Sequence, residues 1–206
     1  MNFNLPRIYP ITDQRVSGIS HFNQAQRLFA GGAHIIQLRE KYASPREFFV
    51  SAEHVMSLAA SNGVATIIND RVDIALAVGA DGVHLGQDDM PPAMARKVLG
   101  NQAIIGYSTH SVDQALAAVA LPVDYIAIGP IFATATKENP DAVVGLTGLS
   151  EVRAAIGDFP LVAIGGIKEE NVASVLAAGA DSAAMISSLI CDLGAIEEKM
   201  RRLNAL

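Results

Sequence analysis

Three side chains in the stretch His34-Ile35-Ile36-Gln37-Leu38-Arg39-Glu40-Lys41 are suited to gathering an anion. Side chains on a strand alternate between faces, so Gln37, Arg39 and Lys41 point one way and Leu38 and Glu40 the other. Three long hydrogen-bond donors, two of them cationic, then converge at the C-terminal end of an apolar run. A multiply charged anion such as a diphosphate uses donors of that kind, because charge-assisted hydrogen bonds are the strong ones. A rim of surface salt bridges would draw on the same residue types, and this stretch alone does not separate the two.

Polar groups recur at the ends of the other apolar runs: Asn69-Asp70-Arg71, Gly86-Gln87-Asp88-Asp89, Ser108-Thr109-His110, Thr134-Ala135-Thr136-Lys137, Gly165-Gly166 and Ser187-Ser188. Asp70 and Asp89 form a carboxylate pair of the kind that suits Mg²⁺, which keeps waters and substrate phosphate as its other ligands. Asp88 points away from Asp89 in an extended chain, and no His/Cys set for zinc is present. For Asp70, capping the following helix is the competing role. Two aspartates cancel one Mg²⁺, and Arg39, Lys41 and Lys137 balance a diphosphate of about −3. A diphosphate neutralised in this way is a good leaving group. The chemistry indicated is loss of diphosphate from an activated carbon, with electrostatic stabilisation as its main catalytic element.

A second anion site is expected where Gly165-Gly166 and Ile186-Ser187 open helical segments with free backbone N–H groups, unless the two glycines only make a tight turn. The stretch from Pro130 to Thr147 is long for a connection and is expected to act as a lid over the site. His110 is the one candidate acid or base, with a contact to the N-terminus of its following helix as the alternative. His21, His34 and His54 read as core or surface groups, and His84 as packing or bonding locally.

These groups need elements to position them. Apolar runs Arg7–Thr12, His34–Arg39, Ala65–Asn69, Gly82–Leu85, Ala103–Tyr107, Tyr125–Gly129, Leu161–Ile164 and Ser182–Ile186 read as strands. Helical spacing follows them, as in Pro45–Ser61, Ser111–Ala120 and Glu169–Ala178, with Ser44-Pro45 and Ser111 as starts. Glycines in Gly31-Gly32-Ala33, Gly79-Ala80-Asp81 and Gly179-Ala180-Asp181 end helices just before the next strand. Eight alternations predict a parallel sheet closed into a single (β/α)₈ TIM barrel over residues 1–206, rather than an open doubly wound sheet. The first strand is followed by Thr12-Asp13-Gln14-Arg15, without the glycine fingerprint of a dinucleotide fold.

Half of the 206 residues are hydrophobic, with no Trp and a net charge of −6. Nucleic-acid binding is disfavoured, since no basic stretch offsets the acidic total. No apolar run reaches the length of a membrane span and no secretory signal opens the chain. One cysteine, Cys191, cannot form an internal disulfide and is expected to pack in the last helix. A cytoplasmic protein is expected, and self-association into a homo-oligomer is left open.

The ordered set Gln37-Leu38-Arg39-Glu40-Lys41, Asn69-Asp70-Arg71, Asp81 to Asp89, Gly129 to Lys137, Gly145 to Leu149 and Ile164-Gly165-Gly166-Ile167 resembles the thiamine-phosphate synthase family. The resemblance implies a transferase that joins 4-amino-5-hydroxymethyl-2-methylpyrimidine diphosphate to a thiazole ethyl phosphate, with Mg²⁺ as cofactor. It implies that Gln37, Arg39, Lys41, Asn69 and Lys137 hold the pyrimidine diphosphate, with Ser108 near the reacting atoms. Lys137, Ser108 and Arg39 would be the catalytic set, and Asp70 and Asp89 the metal ligands. Thr134, Thr136, Gly166, Ile186 and Ser187 would hold the thiazole phosphate. Diphosphate departure would leave a pyrimidine methylene cation for the thiazole nitrogen to capture. Two departures stand out: Ala133 where the family commonly has Pro, and Ser182 where it usually has Gly. Two other functions are compatible with the barrel: a thiazole tautomerase using His110, and a regulatory barrel that binds phosphate ligands without turnover.

Overall fold

The computed structural model describes residues 5–134 and 141–206. Eight parallel strands pair in chain order and close on themselves through β1 and β8. They are β1 Ile8–Asp13, β2 Ile35–Arg39, β3 Ala65–Asn69, β4 Gly82–Leu85, β5 Ile104–Thr109, β6 Tyr125–Ile128, β7 Leu161–Ile164 and β8 Ser182–Met185. The helices are α1 Gln14–Ser17, α2 His21–Ala30, α3 Pro45–Asn62, α4 Val72–Val78, α5 Pro92–Leu99, α6 Val112–Ala118, α7 Gly145–Ile156, α8 Val172–Ala177, α9 Ser187–Ile190 and α10 Ile196–Asn204. A 3₁₀ turn, Glu169–Asn171, precedes α8.

The expected closed (β/α)₈ barrel is therefore present, with shifts at the strand ends. β1 runs one residue further than expected, because Asp13 pairs with Arg39. β5 runs two further, because Ser108 and Thr109 pair with Ala127 and Ile128. Pairing with the next strand supplies a hydrogen-bonding neighbour to residues whose own sequence reads as loop.

Local signals act as expected. Ser44 caps α3 in a reciprocal box with Glu47, and Ser111 caps α6. Gly79 ends α4 in the left-handed region at φ 66°. Beyond α2 it is Gly32, at φ 87°, that takes this conformation, while Gly31 stays helical. Cys191 departs from its expected role: it is exposed just beyond α9, outside the last helix.

Apolar burial is divided in two. Ile11, Ile35, Ile67, Tyr9, Tyr125 and Val162 belong to a small cluster inside the ring. A larger one, from Ile36, Leu38 and Leu85 to Phe48, Leu149 and Met200, fills the space between strands and helices. The period of 2 along each strand sorts residues between them.

The N-terminal end of the barrel is fastened by a repeated device. Asp81, Asp124 and Asp181 each stand just before or at the start of a strand and accept the backbone N–H of Thr66, Ile105 and Leu161, at 2.7, 2.7 and 2.8 Å. Arg96 and Arg153 each bond a carboxylate 28 residues further on, Asp124 at 2.7 Å and Asp181 at 2.6 Å. Both arginines also bond nearby carbonyls, such as Pro122 O and Gly179 O. Among the described residues, no helix is long and apolar enough to cross a membrane.

Candidate active site

The polar strand ends gather at the opposite, C-terminal mouth, where barrels place their chemistry. Gln37 is buried and its Nε2 donates to Tyr9 Oη at 3.3 Å. Arg39 pairs with Asp13, and Lys41, two residues beyond β2, pairs with Asp70. The alternation expected from sequence holds, since Glu40 turns the other way. Its Oε2 lies 3.5 Å from Nε2 of the buried His21, and its Oε1 accepts the backbone N–H groups of Tyr42 and Ala43. The His21 ring, followed by those two amides, holds the Glu40 carboxyl down at about 2 against the upward push of burial. The turn between Arg39 and Lys41 is thereby fixed from behind.

Asp70 follows β3 with φ 63°, the one non-glycine residue in the left-handed region among those described. Asp is among the few residues that tolerate this conformation, at a cost of order 1–3 kcal/mol. The residue does not cap a helix, since Arg71 stands at the cap of α4 and no side chain bonds there. Its backbone N–H donates to His84 O at 2.8 Å. Asn69 is buried and its Nδ2 has no hydrogen-bond partner, a donor that a ligand would satisfy. Asp89 folds back so that its Oδ2 accepts Gly86 N–H at 2.6 Å. Burial pushes the Asp89 carboxyl up, and the neighbouring Asp70 carboxylate adds to the rise. Asp88 is exposed. Among the described residues, no group of three or more His, Cys, Asp or Glu side chains stands together as a metal site.

Ser108, on β5, accepts or donates at His84 Nε2 over 2.9 Å, and Gln87 Nε2 donates to its carbonyl at 2.5 Å. His84 Nδ1 bonds Tyr125 Oη at 3.0 Å, and Tyr125 Oη bonds Tyr9 Oη at 2.8 Å. Burial pushes the His84 imidazole down to about 4 and raises both phenols, so all three rings are neutral at neutral pH. Space for this stack comes from Gly106, where a Cβ would stand 2.1 Å from Tyr125 Cζ and 2.5 Å from His84 Nδ1.

The other arc of the mouth carries Thr134 after β6, Gly165-Gly166 after β7, and Ile186-Ser187 at the start of α9. Gly165 and Gly166 have φ of 102° and 64°, and a Cβ on Gly166 would stand 2.6 Å from Ala133 O. The tight turn expected as the alternative role is therefore real, and it seats the β7 loop against the β6 loop. Ser188 Oγ donates to Ile167 O at 2.8 Å and ties the β8 loop to the same group. Thr136 and Lys137 lie outside the described residues, as does the middle of the expected lid. The roots of that loop are joined by Val144 N–H donating to Pro130 O at 2.8 Å.

His110 is tied down: Nδ1 bonds Gly129 O at 2.6 Å and Nε2 lies 3.6 Å from Asp141. It anchors the start of the loop, and none of these contacts is with the proposed anion or metal ligands. Two groups escaped the sequence reading. Asp13 is the partner of Arg39, and the Tyr9–Tyr125–His84 chain underlies Gln37 and Ser108.

The sequence profile of the family described as thiamine monophosphate synthase matches residues 8–189. The thiamine-phosphate synthase of Chloroflexus aurantiacus is 46% identical over 200 residues, covering 96% of this chain and 92% of the relative. That of Koribacter versatilis is 47% identical over 195 residues, covering 91% and 90%. A solved structure of thiamine phosphate pyrophosphorylase from Pyrococcus furiosus superposes with a TM-score of 0.86 at 34% identity, covering 97% of this chain and 94% of the other. With likeness in sequence and in structure along nearly its whole length, this chain belongs to the thiamine-phosphate synthase family.

Proposed function

We propose that the protein joins 4-amino-5-hydroxymethyl-2-methylpyrimidine diphosphate to a thiazole ethyl phosphate, giving thiamine phosphate and diphosphate. The observation that carries this within the site is the contact between Lys41 and Asp70. It sets the cationic side of β2 directly against the carboxylate pair, so the two halves of a metal–diphosphate site meet.

Gln37, Arg39, Lys41 and Asn69 hold the pyrimidine diphosphate, Ser108 meets its ring and Lys137 completes the positive charge. Thr134, Thr136, Gly166, Ile186 and Ser187 hold the thiazole phosphate. Asp70 and Asp89 would hold Mg²⁺. The fit is good: burial raises the Asp89 carboxyl, the Asp70 carboxylate beside it adds to the rise, and two protein ligands suit an ion that keeps its waters. When bound, the ion supplies charge that offsets the diphosphate.

In the reaction the bond from the pyrimidine methylene carbon to the diphosphate oxygen breaks and its electron pair leaves with the oxygen. The lone pair of the thiazole nitrogen then forms the new C–N bond. Arg39, Lys41 and Lys137 stabilise the departing charge. No protein group has to move a proton, in keeping with a His110 ring occupied by Gly129 and Asp141. Incubation with both substrates and Mg²⁺, followed by diphosphate release and by thiamine phosphate formation, tests the assignment. Release in step with product is expected. Isomerisation of a thiazole carboxylate with no diphosphate released would replace this assignment with the tautomerase.

A further inference from the structure

The interior of the barrel carries an unbroken line of hydrogen bonds from one proposed pyrimidine ligand to the other. It runs Gln37 Nε2, Tyr9 Oη, Tyr125 Oη, His84 Nδ1, His84 Nε2, Ser108 Oγ, with steps of 3.3, 2.8, 3.0 and 2.9 Å across the bonded pairs. Tyr9, Tyr125 and His84 are all buried. The rings are locked by packing: Tyr9 meets Tyr125 edge-on at 5.9 Å and His84 stacks on Tyr125 at 5.5 Å.

The direction of these bonds follows from donor accounting. An amide nitrogen only donates, so Tyr9 Oη accepts from Gln37. The Tyr9 hydroxyl proton is buried and needs an acceptor, which Tyr125 Oη provides. The Tyr125 proton then goes to His84 Nδ1. A neutral imidazole carries one proton, and with Nδ1 accepting, that proton is on Nε2 and is donated to Ser108 Oγ. Ser108 therefore accepts from behind and keeps its own proton for the front. The Gln37 carbonyl oxygen takes no part in the line and remains an acceptor.

We propose that Tyr9, Tyr125 and His84 are positioning residues that fix Ser108 as a hydrogen-bond donor and Gln37 as an acceptor toward the pyrimidine ring. The proposal rests on the assignment of the pyrimidine to Gln37 and Ser108. One edge of a 4-aminopyrimidine offers an amino donor beside a ring-nitrogen acceptor, and the two ends of the line match that pair. A ring edge with two donors or two acceptors would leave one end unpaired, which is costly in a buried site.

The test combines ¹⁵N NMR of the full-length protein with kinetics of Tyr125→Phe, Ser108→Ala and the double variant. The wild-type His84 ring is expected neutral with its proton on Nε2. Tyr125→Phe is expected to raise KM for the pyrimidine diphosphate about tenfold, the value of one directed hydrogen bond, with KM for the thiazole phosphate unchanged. Added to Ser108→Ala, it is expected to cost much less than it does alone, because it acts through Ser108. A proton on Nδ1, or full additivity of the two variants, overturns the proposal. Should Tyr125→Phe not fold, the wild-type tautomer alone decides. The assignment of the pyrimidine fails separately, if Ser108→Ala leaves its KM unchanged whatever the tautomer of His84.

Discussion

Replacing Asp70 by Asn separates metal binding from folding. Asn tolerates the left-handed backbone as Asp does, so the φ of 63° carries over without added strain. The ion pair with Lys41 is lost, but that lysine side chain is 41% exposed and such pairs contribute little. Loss of the neighbouring charge also relieves Asp89, whose carboxyl falls back toward its ordinary range. The melting temperature is therefore expected to stay within about 2–4 °C, the equivalent of 1 kcal/mol for a chain of this size. Mg²⁺ binding behaves otherwise. A carboxylate charge about 4 Å from a divalent ion is worth about 2 kcal/mol in water and about 8 kcal/mol at the effective dielectric of a partly buried site. The Asp70 side chain is 16% exposed, and Asn keeps an oxygen that can still ligate, which places the change near the lower limit. A loss of about 2–3 kcal/mol follows, on the order of 10² in Mg²⁺ affinity. Calorimetric titration of Mg²⁺ in the presence of inorganic diphosphate measures it, with Asp88→Asn as the exposed comparison. Equal affinities for wild type and Asp70→Asn, or a larger loss in Asp88→Asn, would show that the carboxylate pair is not the metal site.

Gly106→Ala places a methyl against two locked rings, and overpacking of this kind costs about 1–3 kcal/mol. A fall of roughly 3–10 °C in melting temperature is expected by calorimetry, and a change below about 1 °C would contradict the packing described. The Glu40 carboxyl, held near 2 in the fold against an ordinary 4.5, contributes stability that is complete above about 4.5 and lost as pH falls through about 2. Glu40→Gln should remove this contribution, so that between pH 4.5 and 2 its denaturant midpoint falls less steeply than that of the wild type; parallel curves would exclude the role.

The barrel was legible because its signals are local and repeated: a strand-length apolar run, a capped helix, a glycine before the next strand. The convergence of Gln37, Arg39 and Lys41 was legible for a similar reason, the period of 2 along one strand. Asp13 was harder to find. It becomes a partner of Arg39 only because β1 and β2 pair in a register that places them side by side. The line through Tyr9, Tyr125 and His84 joins residues 116 and 41 positions apart, and nothing short of closure of the ring brings them together. Asp70 illustrates another limit. Its residue type fits a helix cap as well as a metal ligand, and the left-handed backbone that aims it elsewhere is set by its bond to β4. Ser182, the departure from the family's usual glycine, is fully buried with an unpartnered hydroxyl, and nothing in the structure explains it.

The arginine–aspartate fastening of α5 to β6, made again from α7 to β8 at the same sequence distance, bears on how such a barrel can be recombined. Side chains inside a barrel fill layers drawn from alternate strands, so neighbouring strands contribute at different heights. The segments α5 to β6 and α7 to β8 each hold two strands and two helices, and so carry one complete fastening and one strand of each parity. Exchanging such a pair with that of a relative preserves both the interior layering and the bolt at its base. Exchanging one strand and one helix breaks the bolt and puts the interior out of phase. For a chimeric library built on this chain, crossovers between α5 and β8 belong at every second strand.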